Sequence, residues 1–324
     1  MATKQFDYEQ KYRDLQERIE ELGTMAELID NELLEEINNL RQRVAQHRER
    51  KYKTLSAWDR VLMNRSADRL GAADYIYAIC DDWIELHGDR LFGDDPAIIG
   101  GIGIFKGLPV TIIGYRKGKN TSERVQYNFG MPHPDGYRKA HRLLLQAEKF
   151  KRPVLTFVDT QGAYPGVDAE QRGQAWAISK LLITLSTLKT PVIALVSGEG
   201  GSGGALALSV ADRLLMLSNA VFAVVSPEAC ASILWRNAEK AEEMAAVMKL
   251  TAQDLRQLGM LDEVIEEPVG GAHLDIEATV NRVKEALFRN LQELIHQDIE
   301  ELCRKRFMKL RNIGVFVENQ VTYK

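Results

Sequence analysis

Apolar residues along this chain change their period twice. Leu15, Ile19 and Leu22 are spaced four and three apart, and Leu33, Ile37, Leu40 and Val44 keep a similar spacing after a break near Gly23-Thr24. That period predicts two amphipathic helices, compatible with an antiparallel hairpin. The pair either packs on its own domain or also reaches a partner subunit; it is too short for a long coiled coil.

From about Ala72 to Pro268 the texture turns to strands alternating with helices. Tyr75 to Ile84 reads as helix. Ile98 to Phe105 and Pro109 to Tyr115 read as a hairpin turning at Lys106-Gly107-Leu108. Tyr137 to Phe150 is a helix with Leu143, Leu144 and Ala147 on one face. Val154 to Val158 is a buried strand, and Asp168 to Leu188 mostly helix. Val192 to Val196 is a strand, Ala205 to Val210 a helix, and Arg213 to Leu217 and Phe222 to Val225 short strands. Ala231 to Lys249 and Ala252 to Leu258 are helices before a last strand, Leu261 to Ile265. Strands separated by helices predict a layered α/β domain with parallel pairing. Ile276 to about Arg311 is helical, with a stripe of Val280, Val283, Leu287, Leu291, Leu294 and Ile295. The cluster Arg304-Lys305-Arg306 reads as a solvated helix end, and the chain after Gly314 as a loose tail. The expected domains are a helical extension over 1–45, a main domain over 46–296, and a helix end and tail over 297–324.

Composition narrows the classes. The 324 residues carry a formal net charge of −4 and 45% hydrophobic residues, an ordinary soluble balance with no nucleic-acid footprint. No apolar run approaches the roughly 20 residues that cross a bilayer, so no membrane association is expected. The first residues lack the apolar core of a signal peptide. Cys80, Cys230 and Cys303 lie too far apart for a zinc knuckle or a disulfide framework, which predicts reduced thiols, a cytoplasmic protein and no metal in this chain.

The chemistry concentrates at residues 198–204, where five of seven positions are glycine, between a strand and a helix. Such a backbone approaches ligands closely, and a helix start presents unpaired N–H groups to an anion. The run fits G-x-G-x-x-G, but no acid follows at the end of the next strand, Leu217-Ser218-Asn219-Ala220, to hold a ribose. It fits G-x-S-x-G around Ser202, and Asp262 and His273 follow in the order of a triad, as any downstream acid and histidine would. It lacks the Lys of a P-loop. Val247-Met248-Lys249-Leu250 looks like a biotin attachment tetrapeptide, but an alanine-rich helical stretch makes Lys249 a surface lysine. The remaining reading is an oxyanion hole built from the N–H groups of Gly203 and Gly204, with Gly200 and Gly201 shaping the preceding turn.

A second glycine-turned strand end follows Val158, reading Asp159-Thr160-Gln161-Gly162-Ala163-Tyr164-Pro165-Gly166. Ligands of open α/β sheets bind at such strand ends. Asp159 and Thr160 read as turn or cap ligands, and Tyr164 and Pro165 as walls for a flat ring. Between Arg116 and Arg124 the chain is basic; Lys117 and Arg124 are candidates for coenzyme phosphates or parts of a solvated loop.

Together these segments resemble the alpha subunits of bacterial acetyl-CoA carboxylase carboxyltransferases. The resemblance rests on residues 198–207 and 159–166, Asn128-Phe129-Gly130-Met131-Pro132, Gly136 to Ala140, Ser226 to Trp235 and Glu267 to His273, in family order over about 50–280. Gln161 stands where many relatives carry proline. The resemblance implies a crotonase/ClpP-like ββα spiral with a helical N-terminal extension and a C-terminal helix. It implies carboxyl transfer from carboxybiotin, borne by a separate biotin carboxyl carrier protein, to acetyl-CoA, giving malonyl-CoA for fatty-acid synthesis. Gly203 and Gly204 would then hold the biotin ureido oxygen, and Gly200, Gly201, Gly162, Ala163 and Tyr164 would line the biotin pocket. The partner would be a beta subunit bearing a zinc ribbon, in an alpha2beta2 heterotetramer. Biotin carboxylase, where the complex uses ATP, would be a further component. The rivals are a stand-alone acyl-CoA hydratase or isomerase using Glu199, and a non-catalytic assembly subunit.

Overall fold

A computed structural model describes residues 8–26 and 31–314. Two helices, α1 (Tyr8–Ala26) and α2 (Asn31–Lys53), pack on each other through a small cluster of Ile19, Ala26 and Ile37, with Leu34 and Val44 against it. The predicted break at Gly23-Thr24 does not occur: α1 continues through both, and residues 27–30 lie outside the described residues. Leu15, Leu22, Leu33 and Leu40 stay exposed.

The main domain opens with α3 (Ala57–Asn64) and α4 (Ala72–Ile79), then β1 (Cys80–Glu85), β2 (Ile98–Phe105) and β3 (Leu108–Tyr115). The helix expected through Ile84 stops at Ile79. Cys80–Glu85 instead pairs antiparallel with β2, and this long-range ladder overrides the local period. The β2–β3 turn is Lys106-Gly107, both at positive φ (49° and 79°), the twist that a two-residue hairpin requires. Next come α5 (Thr121–Gln126), α6 (Pro134–Lys149), β4 (Val154–Thr160), α7 (Val167–Gln171), α8 (Gln174–Thr187), β5 (Val192–Gly201) and α9 (Ser202–Leu206). The chain ends through β6 (Arg213–Leu217), β7 (Val221–Ala223), α10 (Pro227–Trp235), α11 (Ala241–Val247), α12 (Ala252–Gln257), β8 (Glu263–Ile265), α13 (Ile276–Ile295) and α14 (Ile299–Arg311). Residues 315–324, the expected loose tail, lie outside the described residues.

One sheet runs β1-β2-β3-β4-β5-β6-β8, with β7 also pairing β5. The first three strands are antiparallel and the rest parallel, as predicted for the strand–helix repeats. Every residue of β4 and β5 is buried, the signature of a parallel sheet covered on both faces. A Cβ on Gly100 of β2 would meet Leu143 of α6, and one on Gly114 of β3 would meet Ala72 of α4. Gly100 pairs with Ile113 and Gly114 with Ile99, so α6 and α4 cover opposite faces.

The predicted solvated cluster at the C-terminus divides. Arg304 and Lys305 are solvated, but Arg306 is 1% exposed. Its guanidinium clasps both oxygens of Asp212 at 2.8 and 2.6 Å and donates to the carbonyls of Leu185, Leu188 and Thr190. What reads as a helix end is therefore a separate helix, α14, locked onto the domain by a buried ion pair.

Candidate active site

β4 and β5 run parallel, so their carboxyl ends and the two glycine-rich segments lie side by side. The ladder pairs Val158 with Val196 and resumes at Thr160 with Gly200, so Asp159 alone faces Ser197-Gly198-Glu199. The Glu199 N–H donates to Asp159 Oδ1 at 2.9 Å, and a Cβ on Gly198 would collide with that carboxylate. Gly200 and Gly201 do not form the expected turn. They belong to β5, which extends to Gly201 and pairs with β7. Gly200 leaves room for the Phe222 ring and Gly201 for the backbone of Gln161.

The helix also begins three residues earlier than expected, at Ser202. Gly201, as its cap, offers no side chain to the first-turn N–H groups. Around Gly203 a Cβ would meet nothing within 4 Å, whereas on Gly204 it would lie 2.5 Å from the Ala163 nitrogen. Gly204 thus backs directly onto the second loop and Gly203 faces open space. Tyr115 donates its hydroxyl to the Gly204 carbonyl from the far side.

The second loop is tied by Thr160, whose hydroxyl oxygen lies 2.5 Å from the Gly130 carbonyl and 2.8 Å from the Gly162 carbonyl, has one proton to donate to either, and accepts the Gly162 N–H. Gly162 has φ +151°, a conformation that side chains rarely adopt. Tyr164 is half-buried, its N–H donating to Pro132 O and its ring 4.2 Å from that of His133. The structure thus brings Gly162, Ala163, Gly201 and Gly204 into one cluster.

Beneath this cluster lies a charge network that the sequence concealed. Lys117 Nζ sits 3.1 Å from Asp159 and 3.5 Å from Glu199. Burial alone would lower the Lys117 pKa; the two carboxylates outweigh it and raise it. Arg65 bridges Glu199 (3.3 Å) and Glu228 (2.5 Å). Arg69 donates to the Ser197 carbonyl and pairs with fully buried Glu267, whose carboxyl the guanidinium holds below its ordinary range against the opposing effect of burial. Arg65 and Arg69 carry no local signature, because their partners lie 128 to 198 residues away.

Lys117 and Arg124 line one cavity of about 280 Å³, with Asn64, Arg69, Arg116 and Tyr127 among its walls. Lys117 is not the solvated cation that phosphate capture would need. Arg116 pairs with Glu85, Lys119 with Asp74 and Arg69 with Glu267. Arg124 reaches the carbonyls of Gly118 and Arg65 at 3.4 and 3.5 Å.

The rival chemistries lack parts. Asp262 precedes β8 and holds the Leu214 N–H and Lys309, at the amino end of the parallel strands, opposite Ser202. Glu199, the one candidate acid or base, is already held by Arg65 and Lys117. Lys249 lies past the end of α11, in a turn at φ 54° beside Asp254, rather than on the expected helix. Among the described residues no group of His, Cys, Asp or Glu forms a metal site, and no helix is long and apolar enough to cross a membrane.

Residues 5–314 match the family model described as acetyl co-enzyme A carboxylase carboxyltransferase-like. The chain is 60% identical over 316 residues to an acetyl-coenzyme A carboxylase carboxyl transferase subunit alpha of Syntrophomonas wolfei subsp. wolfei, covering 98% of this chain and 99% of that one. It is 50% identical over 314 residues to the same subunit of Carboxydothermus hydrogenoformans, covering 97% of each. Among solved structures, the Pseudomonas malonate decarboxylase MdcD-MdcE hetero-dimer has a chain that superposes with a TM-score of 0.57 at 20% identity, covering 76% of this chain and 98% of that one. The transcarboxylase 12S hexamer superposes with a TM-score of 0.54 at 18% identity, covering 79% and 44%. These likenesses establish the crotonase-type fold.

Proposed function

The chain belongs to the acetyl-CoA carboxylase carboxyltransferase alpha-subunit family, and from that premise we propose how its residues carry out the transfer. It is a transferase component of acetyl-CoA carboxylase, in which the carboxyl group arrives as carboxybiotin borne by a partner. We assign the alpha-side oxyanion hole to the N–H groups of Gly203 and Gly204. The observation that carries this assignment is the asymmetry of the pair: open space over Gly203, and Gly204 pressed against Gly162 and Ala163.

A flat ring carrying one charged oxygen fits these residues. Gly203 leaves room for its approach, Gly204 is braced from behind, and Tyr164 on His133 supplies a flat wall. When docked, carboxybiotin supplies the carboxyl group, and its ureido oxygen takes up negative charge as that group departs. The two glycine N–H groups stabilise this charge without moving, because β5 and the second loop already fix them; one such donor is worth about 10²–10³ in rate. Gly162 and Ala163 brace the hole, Gly200 and Gly201 set the strand end that delivers it, and no side chain of this subunit acts as the base.

The acetyl-CoA half of the site belongs to a beta subunit carrying the zinc ribbon, in an alpha2beta2 assembly. Biotin carboxyl carrier protein and biotin carboxylase complete a cytoplasmic enzyme that supplies malonyl-CoA. Exposed Val224, next to β7, and exposed Ile233 and Leu234 of α10 support a chain that works against a partner. For the coenzyme phosphates we retain Arg124, the wall cation without a carboxylate in its hydrogen bonds, and not Lys117.

Reconstitution tests this reading. The isolated chain should form no malonyl-CoA, and adding the zinc-binding beta subunit should restore transfer. Gly204→Val should abolish it in the assembled complex; full activity of that variant would refute the donor assignment. Arg124→Ala should raise the KM for acetyl-CoA and leave kcat unchanged.

A further inference from the structure

We infer that Lys117 and Asp159 are positioning residues that set the offset between the glycine strand end and the neighbouring loop. The inference rests on the donor assignment above and concerns how that pair is held.

Two extra residues enter β5 between its pairings with Val158 and Thr160, an irregularity of the kind that re-aims a strand beside a site. Such a segment loses its ladder hydrogen bonds, and side chains replace them here. Asp159 Oδ1 accepts the Glu199 N–H at 2.9 Å, and Arg69 donates to the Ser197 carbonyl at 3.1 Å. Gly198 has no side chain because the Asp159 carboxylate occupies that space. The offset of Gly200 to Gly204 against Gly162 and Ala163 therefore depends on where the Asp159 carboxylate stands.

Lys117 decides that. Its Nζ bridges Asp159 and Glu199 and also donates to the Asn64 carbonyl at 3.4 Å. The side chains of Lys117, Asp159 and Glu199 are only 14%, 6% and 8% exposed. Arg65 is shared between Glu199 and Glu228, and Arg69, paired with Glu267, acts on Asp159 only at longer range, so among the described residues Lys117 is the cation in contact with Asp159. Without Lys117 a buried carboxylate stands unpaired beside a second one, and repulsion spreads the bulge. A shift of about 1 Å at a catalytic group costs about 10²-fold in rate.

The test uses the alpha chain assembled with its beta partner and steady-state carboxyl transfer. Lys117→Met should lower kcat by about 10²-fold and leave the KM for acetyl-CoA within about threefold. Adding Asp159→Asn to that variant should recover about tenfold in kcat, because the stranded charge is removed while an acceptor for Glu199 N–H remains. A raised KM with unchanged kcat would overturn the inference, since Lys117 would then be meeting the coenzyme. So would a double variant no faster than Lys117→Met. Should Lys117→Met fail to assemble, Asp159→Asn alone is read, and a kcat within about twofold of the parent overturns the inference equally. If Gly204→Val abolishes transfer while Lys117→Met leaves it intact, this inference alone fails. If Gly204→Val leaves transfer intact, the donor assignment itself is wrong.

Discussion

Tyr115 in β3 donates its hydroxyl to the carbonyl of Gly204, fastening the first turn of α9 across β4. Both residues are buried, and burial pushes the Tyr115 pKa up, so the donor keeps its proton. Tyr115→Phe leaves a buried carbonyl unsatisfied at about 1–3 kcal/mol. The expected outcome is a lower urea midpoint together with reduced kcat and an unchanged KM for acetyl-CoA. A stable variant with full kcat would show that this bond does not hold the hole in place.

The two glycines of the pair should respond unequally to a single methyl group. Gly203→Ala meets no atom within 4 Å and should fold and assemble normally. Gly204→Ala collides with Gly162 and Ala163 and should displace the loop, with a drop in transfer approaching the loss of one donor, about 10²-fold. Equal effects of the two substitutions on kcat and thermal stability would contradict this asymmetry.

Ser202 is the one non-glycine residue in the glycine segment held at positive φ (57°), and its side chain is exposed. Ser202→Gly should relieve about 1–2 kcal/mol of backbone strain, read as a higher melting temperature. Carboxyl transfer should survive. Loss of all activity in a complex that assembles normally would reopen acyl-serine chemistry.

Asp95 shows a pH dependence whose sign is fixed by its environment. Burial raises its pKa from the ordinary 3.8 to about 6, although the N–H groups of Ala97 and His133 pull it back. The folded state therefore holds this proton more tightly than the unfolded chain. Its contribution to stability is complete below pH 3.8 and fades as pH rises through about 6, by about 3 kcal/mol in all. Asp95→Asn should flatten that slope in denaturation midpoints measured from pH 4 to 7. An unchanged slope would assign it to other groups.

Much of this architecture is legible locally. The hairpin at Lys106-Gly107 and the apolar strands at 154–158 and 192–196 announce themselves through composition and period. Cys80–Glu85 was hidden because apolar residues continue at helical spacing from Ala72, and only β2, beginning at Ile98, makes the segment a strand. Gly200 and Gly201 look like a turn because glycine favours turns. Pairing with β7, some 20 residues on, extends them. The glycine pair, Asp159 and Tyr164 could be singled out from motif spacing. The roles of Lys117, Arg65 and Arg306 could not, since a cation's partner across the fold leaves no trace in its own neighbourhood.

The clasp between Asp212 and Arg306 imposes an order on the making of the molecule. During synthesis the β5–β6 edge is complete when residue 217 has emerged, but its buried carboxylate waits for a guanidinium 94 residues later. Until the ribosome has delivered Arg306, this edge cannot close without stranding a charge. A message truncated ahead of Arg306 would therefore yield a chain with both glycine loops encoded and the Asp212 carboxylate buried without its cation, a deficit of about 3–5 kcal/mol carried by every such molecule.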